Sequence, residues 1–255
     1  MKKLMALLLL TIVVLAACGS GTSNGDKQSG QKVLKMGTSA DYKPFEYVDS
    51  AKSEDIIGFD IDLANALGEK LGYKIEVKDM DFSGLLTALQ ANKVDLVLAG
   101  MSATEKRRQN VDFSDVYYSA KNLVITKKDS GIKTVEDLKG KTVGVQLGSI
   151  QADSAKEIAK TVKVNVENRD RIPELLQEIK AGRFDAVIIE DVVAQGYLKK
   201  DKNLLSFEAP EAEGTEGSAI AFQKNSKLTE EFNAELKKMQ ENGEIDKLVV
   251  KWFGN

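Results

Sequence analysis

From Val33 onward, short apolar runs alternate with longer stretches in which an apolar residue returns at every third or fourth position. The runs Val33–Thr38, Tyr73–Lys78, Leu96–Ala99, Asn122–Lys127, Thr142–Gln146, Phe184–Ile189 and Gly217–Gln223 read as strands. Between them, Gly58–Leu71 carries Phe59, Leu63, Ala66, Leu67 and Leu71 on one helical face, and Lys227–Asn242 carries Leu228, Phe232, Leu236 and Met239. Further helices are predicted from about Ala152 and over Arg169–Gly182, and Ile245–Phe253 closes the chain. Strand and helix taking turns along a chain predicts an α/β architecture.

The pattern repeats once. Residues 84–100, GLLTALQANKVDLVLAG, lie without gaps on residues 174–190, ELLQEIKAGRFDAVIIE. Leu85 falls on Leu175, Leu89 on Ile179, Ala91 on Ala181, Asp95 on Asp185 and Val97 on Val187. Each copy reads as an amphipathic helix, a polar turn, an aspartate and a buried strand. Two copies are too few for a solenoid and predict two Rossmann-like α/β lobes, each ending a strand at a shared cleft. The expected division is 32–118 with 219–255 for the first lobe and 119–218 for the second. The extended segments leading into Asn122–Lys127 and at Gly217–Gln223 are the candidate crossings between the lobes, and such a pair would bend as a hinge. Trp252 and Phe253 are expected to pack the last helix onto the first lobe.

Composition narrows the function. A net charge of −3 with no basic cluster argues against nucleic acid. The 255 residues contain no histidine and one cysteine, Cys18, which removes the usual neutral-pH base, the commonest metal ligand and any Cys–His pair. Neither a P-loop nor a GxGxxG motif is present, so a nucleotide cofactor is not indicated, and no metal is expected. Asp60 and Asp62, in the first turn of a predicted helix, read as structural acids.

Chemistry then gathers where buried strands stop. Leu96–Ala99 runs into Gly100-Met101-Ser102, with Thr104 and Arg107 just beyond. A guanidinium fork matches a carboxylate in bidentate fashion, so Arg107 marks one half of a cleft for a small zwitterion. In the second lobe, the strand ending at Gln146 leads to Gly148-Ser149-Ile150-Gln151, a helix start at which an anion can meet free N–H groups. The other strand ends on Glu190, a carboxylate suited to an ammonium group.

The first 31 residues read as a targeting segment and tether. Lys2 and Lys3 precede the largely apolar Leu4–Ala17, which is shorter than the ~20 residues of a spanning helix. Residues 1–17 are expected to be a signal peptide. Leu15-Ala16-Ala17-Cys18 resembles the bacterial lipobox, in which the cysteine is acylated and becomes the new N-terminus. Residues 19–31, GSGTSNGDKQSGQ, have nothing apolar to bury and read as a flexible tether. The folded part is thus expected outside the cytoplasm, lipid-anchored to the outer face of the cell membrane.

GTSADYKPFEY, GFDIDLANAL, MDFSGLLTALQANKVDLVLAGMSATEKR, LKGKTVGV, GSIQ, AGRFDAVIIED and GEIDKLVVKWFG together resemble the family 3 extracytoplasmic solute-binding proteins, the polar amino-acid-binding proteins of ABC importers. The resemblance covers Val33 to Gly254. It implies a periplasmic-binding-protein type II fold, closure on the ligand, delivery to a membrane permease and its ATPase, and no chemistry. It makes Arg107 the clamp on the ligand α-carboxylate, assisted by N–H groups near Ser102 and Ile150. The α-ammonium would meet the Gly100 carbonyl, the Ser102 hydroxyl and Glu190. Tyr42 and Phe82 resemble the aromatic walls of the side-chain pocket. Some relatives carry aspartate where Ser39 stands, so a cationic ligand needs another acid, with Asp41 and Glu46 in reach. Gln146 and Gln151 could bond an amide or a guanidinium. L-Arginine (or L-lysine) is the expected ligand, L-glutamine the alternative, and a monomer the expected state. From other classes, a dehydratase-type enzyme and a surface ligand sensor remain open.

Overall fold

The computed structural model describes residues 31–211 and 214–254. The signal segment, Cys18 and the tether to Gly30 lie outside the described residues. The chain begins with β1 (Lys32–Thr38), β2 (Asp41–Tyr42), β3 (Glu46–Val48), β4 (Ile56–Ile57), α1 (Phe59–Leu71) and β5 (Tyr73–Asp79). It continues with α2 (Leu85–Gln90), β6 (Leu96–Val97), β7 (Ser102–Thr104), α3 (Glu105–Arg108), β8 (Val111–Tyr118), β9 (Asn122–Lys127) and β10 (Thr142–Gln146). Next come α4 (Ile150–Thr161), β11 (Asn165–Arg169), α5 (Ile172–Lys180), β12 (Ala186–Glu190), α6 (Asp191–Lys200) and β13 (Leu204–Glu208). The last elements are β14 (Thr215–Gln223), α7 (Lys227–Glu241) and α8 (Glu244–Phe253).

Three sheets result: a small one, β2-β3-β4, and two larger ones whose orders correspond. One runs β5-β1-β6-β14-β7 with β8 also paired to β14; the other runs β11-β10-β12-β9-β13. In each, the middle strand of a parallel trio (β1 or β10) lies between two parallel partners, and an antiparallel strand follows. Helices cover both faces, so strands of both sheets carry apolar side chains on each side.

The internal repeat has a structural basis. Leu85 and Leu89 of α2, and Leu175 and Ile179 of α5, are fully buried. Asn92 and Gly182, at matching positions, both turn the chain with positive φ (57° and 71°). Asp95 accepts the Lys35 N–H (2.7 Å) midway along β1, and Asp185 accepts the Thr142 N–H (2.8 Å) at the start of β10. The two aspartates therefore do the same work, tying the turn before one strand to the backbone of its parallel neighbour.

The chain leaves the first of the larger sheets after Tyr118 and enters the second at Asn122; it leaves the second after Glu208 and re-enters the first at Thr215. β14 is already paired to β7 and β8 at Thr215 and Ser218, so the stretch expected to form the return crossing, Gly217–Gln223, lies within the first sheet. Asp60 and Asp62 are structural, though neither caps α1. Asp62 holds Lys251 (2.6 Å) and the Trp252 indole N–H (2.7 Å). Phe253 stacks on Tyr118 at 4.4 Å and meets Phe45 and Phe59 edgewise or tilted, which docks α8 on the first sheet. Among the described residues no helix is long and apolar enough to cross a membrane.

Candidate functional site

The carboxyl ends of the parallel strands in both sheets point into one cleft, where a doubly wound sheet leaves room for a ligand. Tyr42, Phe82, Ala99, Gly100, Ser102 and Arg107 line it from the first sheet; Gln146, Ser149, Ile150 and Gln151 line it from the second. The space left among them is about 10 Å³, room for about one water. The described geometry is that of a shut cleft.

Gly100 shows why the chain needs glycine here. Its φ is +54°, and a Cβ would come within 3.0 Å of the Tyr42 ring. The Gly100 N–H donates to Asp60 Oδ2 (2.7 Å), which also accepts the Tyr117 hydroxyl (3.0 Å). Across the cleft, Gly148 has φ +77°, and a Cβ on it would stand 3.3 Å from Ser83 Cα of the facing side. Next to it, the Ser149 hydroxyl accepts the Ala152 N–H (3.1 Å) and donates to the Gln146 carbonyl (2.7 Å). That is an N-cap on α4 and leaves the Ile150 and Gln151 N–H groups without intrahelical partners.

Arg107 spans the cleft. One end of its fork donates to the Ser102 carbonyl (2.6 Å) and the other to the Gly148 carbonyl (3.0 Å), and its guanidinium lies 5.5 Å from the Phe82 ring centre. Burial lowers its pKa to about 10, so it stays charged at neutral pH. Glu190 ends β12 opposite. Its Oε2 accepts the Tyr42 hydroxyl at 2.8 Å, and burial raises its pKa to about 8. A cation placed against Glu190 would restore the ionised form; an anion placed against Arg107 would replace two neutral carbonyls by a charged partner. The cleft thus offers one fixed positive and one inducible negative group.

The sequence-derived residues divide into three groups. Tyr42, Phe82, Gly100, Ser102, Arg107, Gln146, Ser149, Ile150 and Gln151 line the cleft, and Gly148 and Glu190 bond to residues that do. Gln146 and Gln151 are partly committed, Nε2 of the first donating to the Asp170 carbonyl (3.1 Å) and that of the second to Asn122 Oδ1 (2.7 Å). Met101 is brought elsewhere: its side chain packs with Leu85, Leu89 and Val97 in the first sheet's core. Glu46 is wholly buried behind the cleft, beside Asp60. Ser39 is buried, and Asp41 accepts the Ile172 N–H (3.1 Å) at the start of α5 in the other sheet.

Three participants carried no local signal. Arg171, the residue before α5, reaches across to Asp79 (2.9 Å) at the end of β5 and to Asp81 (2.8 Å). Asp60 sets the Gly100 peptide, and Asn122 holds Gln151. Only the rule that carboxyl ends of strands face the cleft could have pointed to Arg171, which follows β11 by two residues. Among the described residues no group of three or more Asp, Glu, His or Cys side chains is arranged to hold a metal.

The family model described as bacterial extracellular solute-binding proteins, family 3, matches residues 34–255. An arginine-binding extracellular protein of Bacillus subtilis is 54% identical over 99% of this chain and 98% of its own length. The lysine/arginine/ornithine-binding periplasmic protein of Escherichia coli is 32% identical, over 99% of this chain and 97% of that one. Among solved structures, an ancestral arginine-binding protein bound to arginine aligns with a TM-score of 0.79 at 43% identity, covering 87% of this chain and 98% of that one.

Proposed function

This chain belongs to the bacterial extracellular solute-binding proteins, family 3, and from that premise we propose that it captures a cationic L-amino acid, arginine first and lysine second, for an ABC importer. The observation that carries the proposal is the charge layout of the cleft. One buried guanidinium, Arg107, faces a side that holds the acids Glu190 and Asp41, with the buried Asp60 carboxylate behind them. A ligand with one carboxylate and two cationic groups complements that layout; glutamine, with one cationic group fewer, complements it less well. The ligand carboxylate displaces the Ser102 and Gly148 carbonyls from Arg107 and meets the N–H groups of Ile150 and Gln151 at the start of α4. Its ammonium goes to the Gly100 carbonyl, the Ser102 hydroxyl and Glu190.

The relatives' names support the ligand class, and an ancestral arginine-binding protein solved with glutamine keeps the alternative ligand in view. In this reading the two larger sheets are the cores of two lobes that open about the connections between them and shut on the ligand. Acylation at Cys18 would hold the protein at the outer face of the membrane, next to its permease and ATPase.

The test is thermal unfolding of the chain from Lys32 onward against each of the twenty amino acids. A ligand at about a hundred times its dissociation constant adds roughly 2.7 kcal/mol, or about 5–10 °C for a domain of this size. Shifts confined to arginine and lysine support the reading; a shift with glutamine alone overturns the charge argument and keeps the amino-acid site.

A further inference from the structure

Among the described residues four buried carboxyl oxygens have no hydrogen-bond donor: Oδ1 of Asp41, both oxygens of Glu46 and Oδ1 of Asp60, and the last three belong to one pair of acids behind the cleft. The two side chains are fully buried and near enough for each to bear on the other's ionisation. Two carboxylates cannot occupy such a place as anions, because each would be desolvated and would face its like. One proton between them removes the like charge and gives one Glu46 oxygen and Asp60 Oδ1 each a partner. The second oxygen of Asp60 already accepts two donors, the Gly100 N–H and the Tyr117 hydroxyl, which favours the anion on Asp60. Glu46 has no such donors, so the proton belongs there.

We propose that Glu46 is a neutral acid that donates its proton to Asp60 Oδ1, and that this acid–carboxylate pair positions the Gly100 peptide at the floor of the cleft. Glu46 acts through Asp60 and touches no ligand. The chain of contacts runs from β3 through α1 to the turn after β6, so the peptide that ends the cleft strand is aimed by a group two residues removed from it in bonding. The shifts agree in direction: burial, with Asp60, Asp41 and Glu190 nearby, raises Glu46 well above the carboxylate range, whereas Asp60 rises only to about 6. The ionisable groups facing the pair are Asp41 and Tyr42 on β2, Tyr117 on β8 and Glu190 on β12. Among the described residues neither acid has an ion pair with lysine or arginine.

This assignment stands apart from the ligand reading; only its consequence for affinity rests on that reading. Infrared spectra of the whole chain, with glutamate or aspartate carboxyls carbon-13 labelled in turn, test it directly. They are recorded at neutral pH in the parent and in Glu190→Gln, which removes the other buried glutamic acid from the protonated-carboxyl region. A protonated-carboxyl band that shifts with labelled glutamate, persists in Glu190→Gln and is lost in Glu46→Gln is expected. Absence of the band, or a band that follows labelled aspartate, overturns the proposal; the label swap needs no Glu46 variant to fold.

For positioning, Glu46→Gln keeps a donor to Asp60 and should bind arginine within about threefold of the parent, whereas Glu46→Leu should weaken binding by about tenfold or more. Equal affinities for these two variants with only their melting temperatures changed would reduce Glu46 to a packing role. A parent chain that binds no arginine while showing the glutamate band would end the ligand reading and leave the proton where it is placed.

Discussion

Replacing Arg171 by alanine removes contacts that exist only when the two sheets face each other closely, so it separates closure from ligand contact. Its Nη1 lies 2.9 Å from Asp79 Oδ1 and its Nε 2.8 Å from Asp81 Oδ1. The Arg171 side chain is 26% exposed and the two acids 42% and 54%, so water screens both pairs. Exposed ion pairs contribute about 0.2–1 kcal/mol each, which gives about 0.5–2 kcal/mol for the two together. None of this acts on the ligand. It favours the shut form, and a ligand that binds the shut form inherits it as affinity. Arg171→Ala is therefore expected to raise the dissociation constant for arginine by about 2- to 30-fold. Titration calorimetry at low and at high salt measures this, and the deficit should shrink at high salt, where the Debye length falls to about 3 Å. Small-angle scattering of the ligand-free variant should show a larger radius of gyration than the parent. Unchanged affinity with a lower melting temperature would refute the argument, because the ion pairs would then hold the fold rather than its closure.

Other sites predict different signatures. Arg107→Ala leaves a ligand carboxylate buried and unpaired, which costs about 3–5 kcal/mol, so arginine binding should weaken by several hundredfold or more while the melting temperature stays near the parent's. Glu190, raised to about 8 against an ordinary 4.5, holds a proton in the folded, ligand-free protein that the unfolded chain has lost above the ordinary value. Its contribution to stability is complete below about pH 4.5 and disappears as pH rises through about 8, a slope that Glu190→Gln should flatten in melting curves. Because the ligand ammonium favours the anion, binding near neutral pH should expel a proton, measurable as a difference in heat between buffers of unlike ionisation enthalpy. Ser149→Ala removes the cap on α4 and should lower stability by about 1 kcal/mol, read as about 2–4 °C in melting temperature.

The repeat is legible in the sequence because it rests on packing, which leaves a period along the chain. Leu85 and Leu175, or Val97 and Val187, are apolar for the same geometric reason, and Asp95 and Asp185 are acidic because each receives a backbone N–H of the neighbouring parallel strand. The cleft residues at strand ends are legible for a related reason: a strand buried on both faces can place polar groups only where it stops. Met101 misleads because its place beside Gly100 and Ser102 suggests the cleft, whereas alternation along the extended backbone turns its side chain into the core. The return crossing lies earlier in the chain than its pattern suggests, because Gly217–Gln223 looks like any strand and pairing with β8 across a hundred residues has no local trace. Long-range pairs between buried polar groups leave least of all. Arg171 with Asp79, and Glu46 with Asp60, join residues whose neighbours along the chain give no hint of a partner.

The same contacts explain how a weak latch and a strong clamp can coexist. Arg107 bonds carbonyls on both sides of the shut cleft, and Tyr42 bonds Glu190 across it, so each of the two groups that the proposed function assigns to the ligand has a protein partner. Those partners are neutral carbonyls and a hydroxyl, which a ligand's carboxylate and ammonium outcompete because charge-assisted bonds are stronger. Arg107, the charged member, is thus hydrogen-bonded in the shut cleft, and Glu190 is held there as the neutral acid, so neither meets the penalty of a bare buried charge. Arg171 with its two aspartates, and Asp41 with the Ile172 N–H, lie outside the ligand's volume and are unchanged by its arrival. The ligand therefore needs to supply only the difference between charged and neutral partners at Arg107 and Glu190, while the rim supplies a fixed bias toward the shut form. Tuning that bias at the rim changes affinity for every ligand alike, and changing the acids around Tyr42 changes which ligand is preferred.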